Sequence, residues 1–60
     1  MSATKAKIDA YIRLERMLET ATTGSVAQRR LEYELSKLEV IDGVTTDDVV
    51  KRKKELWSAR

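Results

Sequence analysis

Residues Val40–Val49 read VIDGVTTDDV, and the way this stretch is parsed decides the fold. Gly43 can take the left-handed backbone conformation that closes a helix. Thr45 can then cap a new helix, with Asp48 at the third position reaching back and Val44 stapled to Val49 across the turn. Asp47 and Asp48 also suit the positive end of the helix they would begin. The stretch is a helix stop followed at once by a helix start. The same grammar recurs upstream in Thr20–Gln28, TATTGSVAQ. There Gly24 suits the left-handed position after a helix end, Ser25 caps the next helix, and Gln28 completes a capping box.

Between these breaks nothing interrupts a helix. The 60 residues contain no proline, phenylalanine or cysteine and only two glycines, a composition that favours helix throughout. The reading is an all-α chain of three helices, near residues 4–21, 26–41 and 46–58, joined by tight glycine-containing turns. It forms one small domain over 1–60 with a flexible start at 1–3, either a bundle or an extended hairpin that self-associates. With Met1 at its head and no purification tag, the chain is expected to be a complete small protein.

Size makes the core thin. Apolar residues are 42% of the chain, but six of them are alanine, so few large side chains are available for burial. Domains of this length usually need a disulfide, a metal or self-association. Cysteine and histidine are absent, which removes the first and leaves no ordinary zinc ligands for the second. Oligomerisation, or docking into a larger assembly, is the expected remedy. No apolar run approaches the roughly 20 residues that span a bilayer, and residues 1–20 lack the apolar stretch of a secretory signal. A cytoplasmic protein is expected, or one built into a particle assembled in the cytoplasm, with no membrane partner.

Helical periodicity sorts the faces. At about 100° per residue, the first helix lines up Tyr11, Leu14, Leu18 and Ala21, with Ala10 and Met17 on one side and Ile8 and Ile12 on the other. That arc is wider than one partner needs, so the helix is expected to touch two neighbours. In the second helix Ala27, Leu31, Leu35 and Leu38 form a core stripe. Val26, Tyr33 and Val40 form another, spaced by seven and about 160° away. Two opposed faces fit packing within the chain on one side and contact with another chain on the other. The bland account leaves Tyr33 half exposed with a wet hydroxyl and the valines over loop ends. The expected protein interface is therefore Val26, Tyr33 and Val40, with Ile8 and Ile12 beside them. Trp57 is a further candidate, although in so small a chain a tryptophan more readily belongs to the core.

The run Lys51-Arg52-Lys53-Lys54 suggests nucleic acid, since the chain's net charge of +2 comes entirely from its last segment. Helical geometry disperses the run. Lys51 points away from the Val49/Leu56/Trp57 stripe, Lys53 falls within it, and Arg52 and Lys54 flank it. Lys53 is expected to lay its methylenes along apolar surface and send its amine outward. Asp47 and Asp48 precede Lys51 and Arg52 by four, the favourable order for helical ion pairs, and Lys51 can also reach Glu55. A recognition helix would bring Asp47 and Asp48 first to the phosphates. Charge-driven contact through Lys51, Arg52, Lys54 and Arg60 remains the alternative reading.

Chemistry-bearing motifs are missing. Without histidine or cysteine there is no imidazole base or thiolate nucleophile, and no phosphate-binding or dinucleotide glycine loop occurs. Asp42, Asp47 and Asp48 miss calcium-loop spacing. Glu15 and Glu19 lie one turn apart and read as a solvated face. No enzyme activity, cofactor, metal or small-molecule substrate is expected. The segment Gly43–Trp57 resembles the second half of the SHOCT domain, a short helical hairpin, through Gly43, Val44, Thr46, Asp47, Asp48, Lys53 and Lys54. Val50 stands where that family usually has an aromatic, and Leu35 and Leu38 fall out of its register. The resemblance implies a small interaction module. The residues lead to the same place: a non-enzymatic protein–protein interaction module, a self-associating structural or regulatory subunit, of the kind found among phage and bacterial accessory proteins.

Overall fold

The computed structural model describes residues 3–58. Three helices follow one another: α1 at Lys5–Thr20, α2 at Val26–Val40 and α3 at Thr46–Ser58, each within a residue of its expected bounds. Met1 and Ser2 of the expected flexible start, and Arg60 of the basic set, lie outside the described residues. Ala3, by contrast, packs against the core.

Each helix begins at a side-chain cap. The Thr4 hydroxyl accepts from the Lys7 backbone N–H at 3.3 Å, and Ser25 accepts from Gln28 at 3.1 Å. At α3 the capping box closes in both directions. The Asp48 amide donates to Thr45 Oγ1 at 3.1 Å, and the Thr45 amide donates to Asp48 Oδ2 at 3.2 Å. Val44 and Val49, the expected staple, are both buried in one cluster, at 4% and 6% exposure.

The first turn differs from its expected form. α1 ends at Thr20 with an extended Ala21, and Gly24, at φ 80°, sits within a turn closed by the Ser25 N–H donating to the Thr22 carbonyl at 3.1 Å. The glycine therefore serves a turn after the helix and not the helix end itself. The Gln28 side chain also reaches one residue further than a standard box, accepting from the Gly24 N–H at 2.6 Å. Gly43, at φ 72°, takes the left-handed conformation. The Val44 amide beyond it donates to the Leu38 carbonyl at 3.1 Å, folding the link back on α2.

α1 is the middle of the molecule. It packs against α2 on one side and α3 on the other, whereas α2 and α3 make no close backbone approach to each other. The broad apolar arc of α1 thus has the two neighbours its width implied. The result is an open layer measuring 34 × 28 × 15 Å, and the short dimension is little more than one helix diameter of about 10–12 Å. Its radius of gyration, 12.1 Å, exceeds the roughly 10 Å of a compact chain this long.

The core is correspondingly shallow. Ile8, Leu38, Val44 and Val49 form one buried cluster, with Tyr11, Ile12 and Leu14 packed against it, and Leu31 and Leu35 bury the inner face of α2. Among the described residues no side chain falls below 2% exposure.

Candidate functional site

The inner face of α2 is committed to the core through Leu31, Leu35 and Leu38. Its opposite face is bare. Val26 is 83% exposed, Tyr33 64% and Val40 83%, and Ile41 continues the line past the helix end. Successive members stand about 10.5 Å apart along the axis, seven residues at about 1.5 Å each. The Lys37 ammonium lies 5.5 Å from the centre of the Tyr33 ring, a cation–π contact on the exposed surface. Around the line sit Arg29, Arg30, Glu32 and Lys37, all exposed. None of them belongs to an ion pair among the described residues, where the four such contacts join Lys7 to Asp42, Arg52 to Asp9, Arg52 to Glu55 and Lys53 to Glu15.

The other expected interface residues lie elsewhere. Ile8 is buried at 8% exposure within the core cluster, so it presents no surface. Ile12 is half-buried and faces α3, away from the outer side of α2. It lines a shallow groove of about 350 Å³ with Leu56 and Trp57, bordered by Arg16, Glu19 and Lys53. Trp57, an interface candidate that so small a chain would more readily bury, is 71% exposed. The reason is geometric. α3 reaches only α1, and Val49 fills that contact near its start, so the last turn of α3 runs along the open edge of the layer. The expected single patch is therefore two surfaces: the outer face of α2, and the Ile12–Leu56–Trp57 groove between α1 and α3.

The basic run is divided by its neighbours. Arg52 turns inward and grips Asp9 with two nitrogens, Nε at 2.7 Å and Nη2 at 3.2 Å, while Nη1 donates to Glu55 at 3.0 Å. The hydrogen bond from Arg52 holds the Asp9 carboxyl below its ordinary range, partly opposed by desolvation. The same bond, then that to Glu55, raises the affinity of the guanidinium for its proton. Lys53 crosses to Glu15 at 3.4 Å along the groove wall, in keeping with the apolar stem and outward amine expected of it. Lys51 and Lys54 point to solvent. The intrahelical pairs from Asp48 to Arg52 and from Asp47 to Lys51 are absent from the ion pairs among the described residues. Asp48 is engaged by the Thr45 cap, and Arg52 has a bidentate partner on α1.

Two contacts carry no signal in the sequence. Asp9 and Arg52 are 43 residues apart, and Tyr11 donates to Glu39 at 2.6 Å across 28 residues. That hydrogen bond, with desolvation and the nearby carboxylates, pushes the Tyr11 phenol up to about 12. Both contacts join helices whose relative rotation depends on docking, which helical periodicity alone does not determine.

Among the described residues no group of three or more metal-ligating side chains converges, and no helix is long and apolar enough to cross a membrane. Comparison with protein families, with curated proteins and with solved structures finds no match.

Proposed function

We propose that this chain is a small non-enzymatic protein–protein interaction module that self-associates through the outer face of α2, as a structural or regulatory subunit of a larger assembly in the cytoplasm. One observation carries the reading. Val26, Tyr33 and Val40 stand outward on the helix face opposite the core, in a layer that completely buries no side chain among the described residues. Thin helical layers gain stability by covering such a line, and an aromatic flanked by aliphatics is a common anchor at the centre of an interface.

The test is light scattering on size-exclusion fractions across a wide concentration range, with the wild-type chain and Tyr33→Glu. A defined multiple of the chain mass is expected for the wild type. Tyr33→Glu should fall to the monomer mass with its helical circular dichroism intact, since Tyr33 touches solvent and not the core. A wild-type monomer at all concentrations, or an unchanged mass in Tyr33→Glu, refutes the reading. A second reading, contact with nucleic acid through Lys51 and Lys54, is favoured by their outward placement. It is weakened by the diversion of Arg52 into the Asp9 pair. Salt-sensitive binding lost in the double variant Lys51→Glu/Lys54→Glu would support that alternative.

A further inference from the structure

We infer that the outer face of α2 receives a second copy of this chain in parallel, with the two α2 helices side by side about a two-fold axis along their length. The inference rests on the self-association reading and adds its geometry. The argument comes from the charges that border the apolar line. Viewed down α2, Arg30 and Lys37 lie on one flank of Val26–Tyr33–Val40, with Glu34 further round, and Arg29 and, further round, Glu32 lie on the other, by the ~100° step of the helix. Glu39 shares the acidic flank, but its carboxylate already accepts from Tyr11.

The two orientations treat these flanks oppositely. In a parallel pair related by a two-fold axis, the basic flank of one helix faces the acidic flank of the other. Glu32 then reaches Lys37 of the second copy, five residues further along, and the contact occurs twice by symmetry. In an antiparallel pair centred on Tyr33, like flanks meet. Arg30 would face Lys37 of the second copy, also twice, and like charges so placed select against that orientation. Arg29 is the one cation that the parallel arrangement brings near its own copy. Its long side chain can turn its charge outward to solvent. The partner that fits both the apolar line and its flanks is a second α2 running the same way.

This geometry leaves other features untouched. α3 lies across α1 from α2, so the Ile12–Leu56–Trp57 groove stays uncovered in each copy. Both grooves then open toward the same end of the dimer.

The absence of native cysteine makes the test direct. Val26→Cys places thiols next to each other in the parallel pair, within the roughly 4.4–6.8 Å Cα separation a disulfide needs. In the antiparallel pair the two positions stand about 20 Å apart, fourteen residues along the axis. The expected result is a rapid disulfide dimer of Val26→Cys, formed well above the rate of an exposed control, Arg13→Cys. A mixture of Val26→Cys and Val40→Cys should yield the two like pairs and little of the mixed one. Independently, Lys37→Glu and Glu32→Lys should each weaken association by roughly threefold to tenfold, for two exposed ion pairs lost per dimer. The double variant Glu32→Lys/Lys37→Glu should restore it. Dominant 26-to-40 cross-links, with Tyr33→Glu still dissociating the oligomer, overturn the parallel arrangement and leave the self-association reading standing. Single charge reversals without effect do the same. An oligomer indifferent to Tyr33→Glu, or no oligomer at all, overturns both.

Discussion

Val49→Ala should undock α3 without unfolding the rest of the chain. α3 is attached to the layer by one buried side chain of its own, Val49, with Val44 just before it and the Arg52–Asp9 and Lys53–Glu15 pairs on the surface, and it makes no close approach to α2. Removing two methyl groups from a site 6% exposed forfeits about 1.6 kcal/mol of burial at roughly 0.8 kcal/mol per group. The cavity left behind raises the loss further, to as much as about 2.5 kcal/mol. If the loss falls on the α1–α3 contact alone, the opening equilibrium of α3 rises roughly ten- to seventyfold. Whole-chain stability for 60 residues is on the order of 3–9 kcal/mol, so the α1–α2 hairpin should survive. The assay is native-state amide hydrogen exchange at fixed protein concentration, because any association through α2 adds concentration-dependent stability. Protection in Thr46–Ser58 should drop by the stated factor, with the α2 amides beside Leu31 and Leu35 nearly unchanged. Leu35→Ala, in contrast, should lower protection in all three helices, because a loss of about 2–5 kcal/mol falls on the contact between α1 and α2. Equal loss of protection in α2 and α3 after Val49→Ala would refute the reasoning, since it would mean that the three helices open as one unit.

The ionisable contacts between helices give opposite pH signatures. Tyr11 titrates at about 12 in the folded chain against an ordinary 10.0. Its bond to Glu39 therefore stabilises fully below pH 10 and is lost as pH rises from 10 toward 12. Absorbance titration in a Tyr33→Phe background should show the raised midpoint, and Glu39→Gln should bring it down. Asp9 is lowered from 3.8, so its contribution is present above that value and disappears as pH falls through the lower folded value. Asp9→Asn should consequently melt earlier than wild type at neutral pH, and the gap should close in acid; parallel melting curves across the whole range would contradict the Arg52 clamp. Thr45→Ala removes the cap of α3 and should cost about 1 kcal/mol, or roughly 4–8 °C in melting temperature for a domain of this size. Adding Asp48→Ala should cost less than the sum of the two, because both arms belong to one box.

The legible parts of this fold are local. Ser25, Thr45, Gln28 and Asp48 declare their caps within four residues of chain, and the structure repeats them to within one hydrogen-bond partner at Gly24. The spacing of Leu31, Leu35 and Leu38 gives the buried side of α2 without knowledge of what lies against it. What the sequence concealed depends on docking. Ile8 and Ile12 are neighbours on one arc of α1, yet Ile8 is buried among Leu38, Val44 and Val49, whereas Ile12 lines the open groove with Leu56 and Trp57. Trp57 is exposed for the same reason: its hydrophobicity argues for burial, but α3 has only one neighbour to bury it against. Arg52 passes over Asp48, the one i,i+4 carboxylate its own helix offers, and pairs with Asp9 on α1 and with Glu55 three residues on. A bidentate carboxylate on another helix outcompetes a flexible pair on the same one, since the planar guanidinium rewards two aligned bonds.

The middle position of α1 accounts for where the remaining apolar surface lies. With two neighbours, α1 buries Ile8 and half-buries Ala10, Tyr11, Ile12, Leu14 and Leu18 within the chain, and leaves Met17 half exposed. A compact three-helix bundle would give α2 and α3 the same opportunity, but in this layer each touches only α1. Each of the flanking helices is then left with one side that the chain cannot cover. On α3 that side is strewn with Lys51, Lys54 and Glu55, and its apolar members, Val50 and Trp57, fall along a single flank. On α2 the uncovered side is instead organised as Val26, Tyr33 and Val40 at a constant interval of seven, with Arg30 and Lys37 along one border and Arg29 and, further round, Glu32 on the other. Solvation alone demands no such order, because scattered apolar residues are tolerated anywhere on a surface. A regular line is the arrangement that a second helix can use, and a parallel one sets Glu32 of each copy against Lys37 of the other.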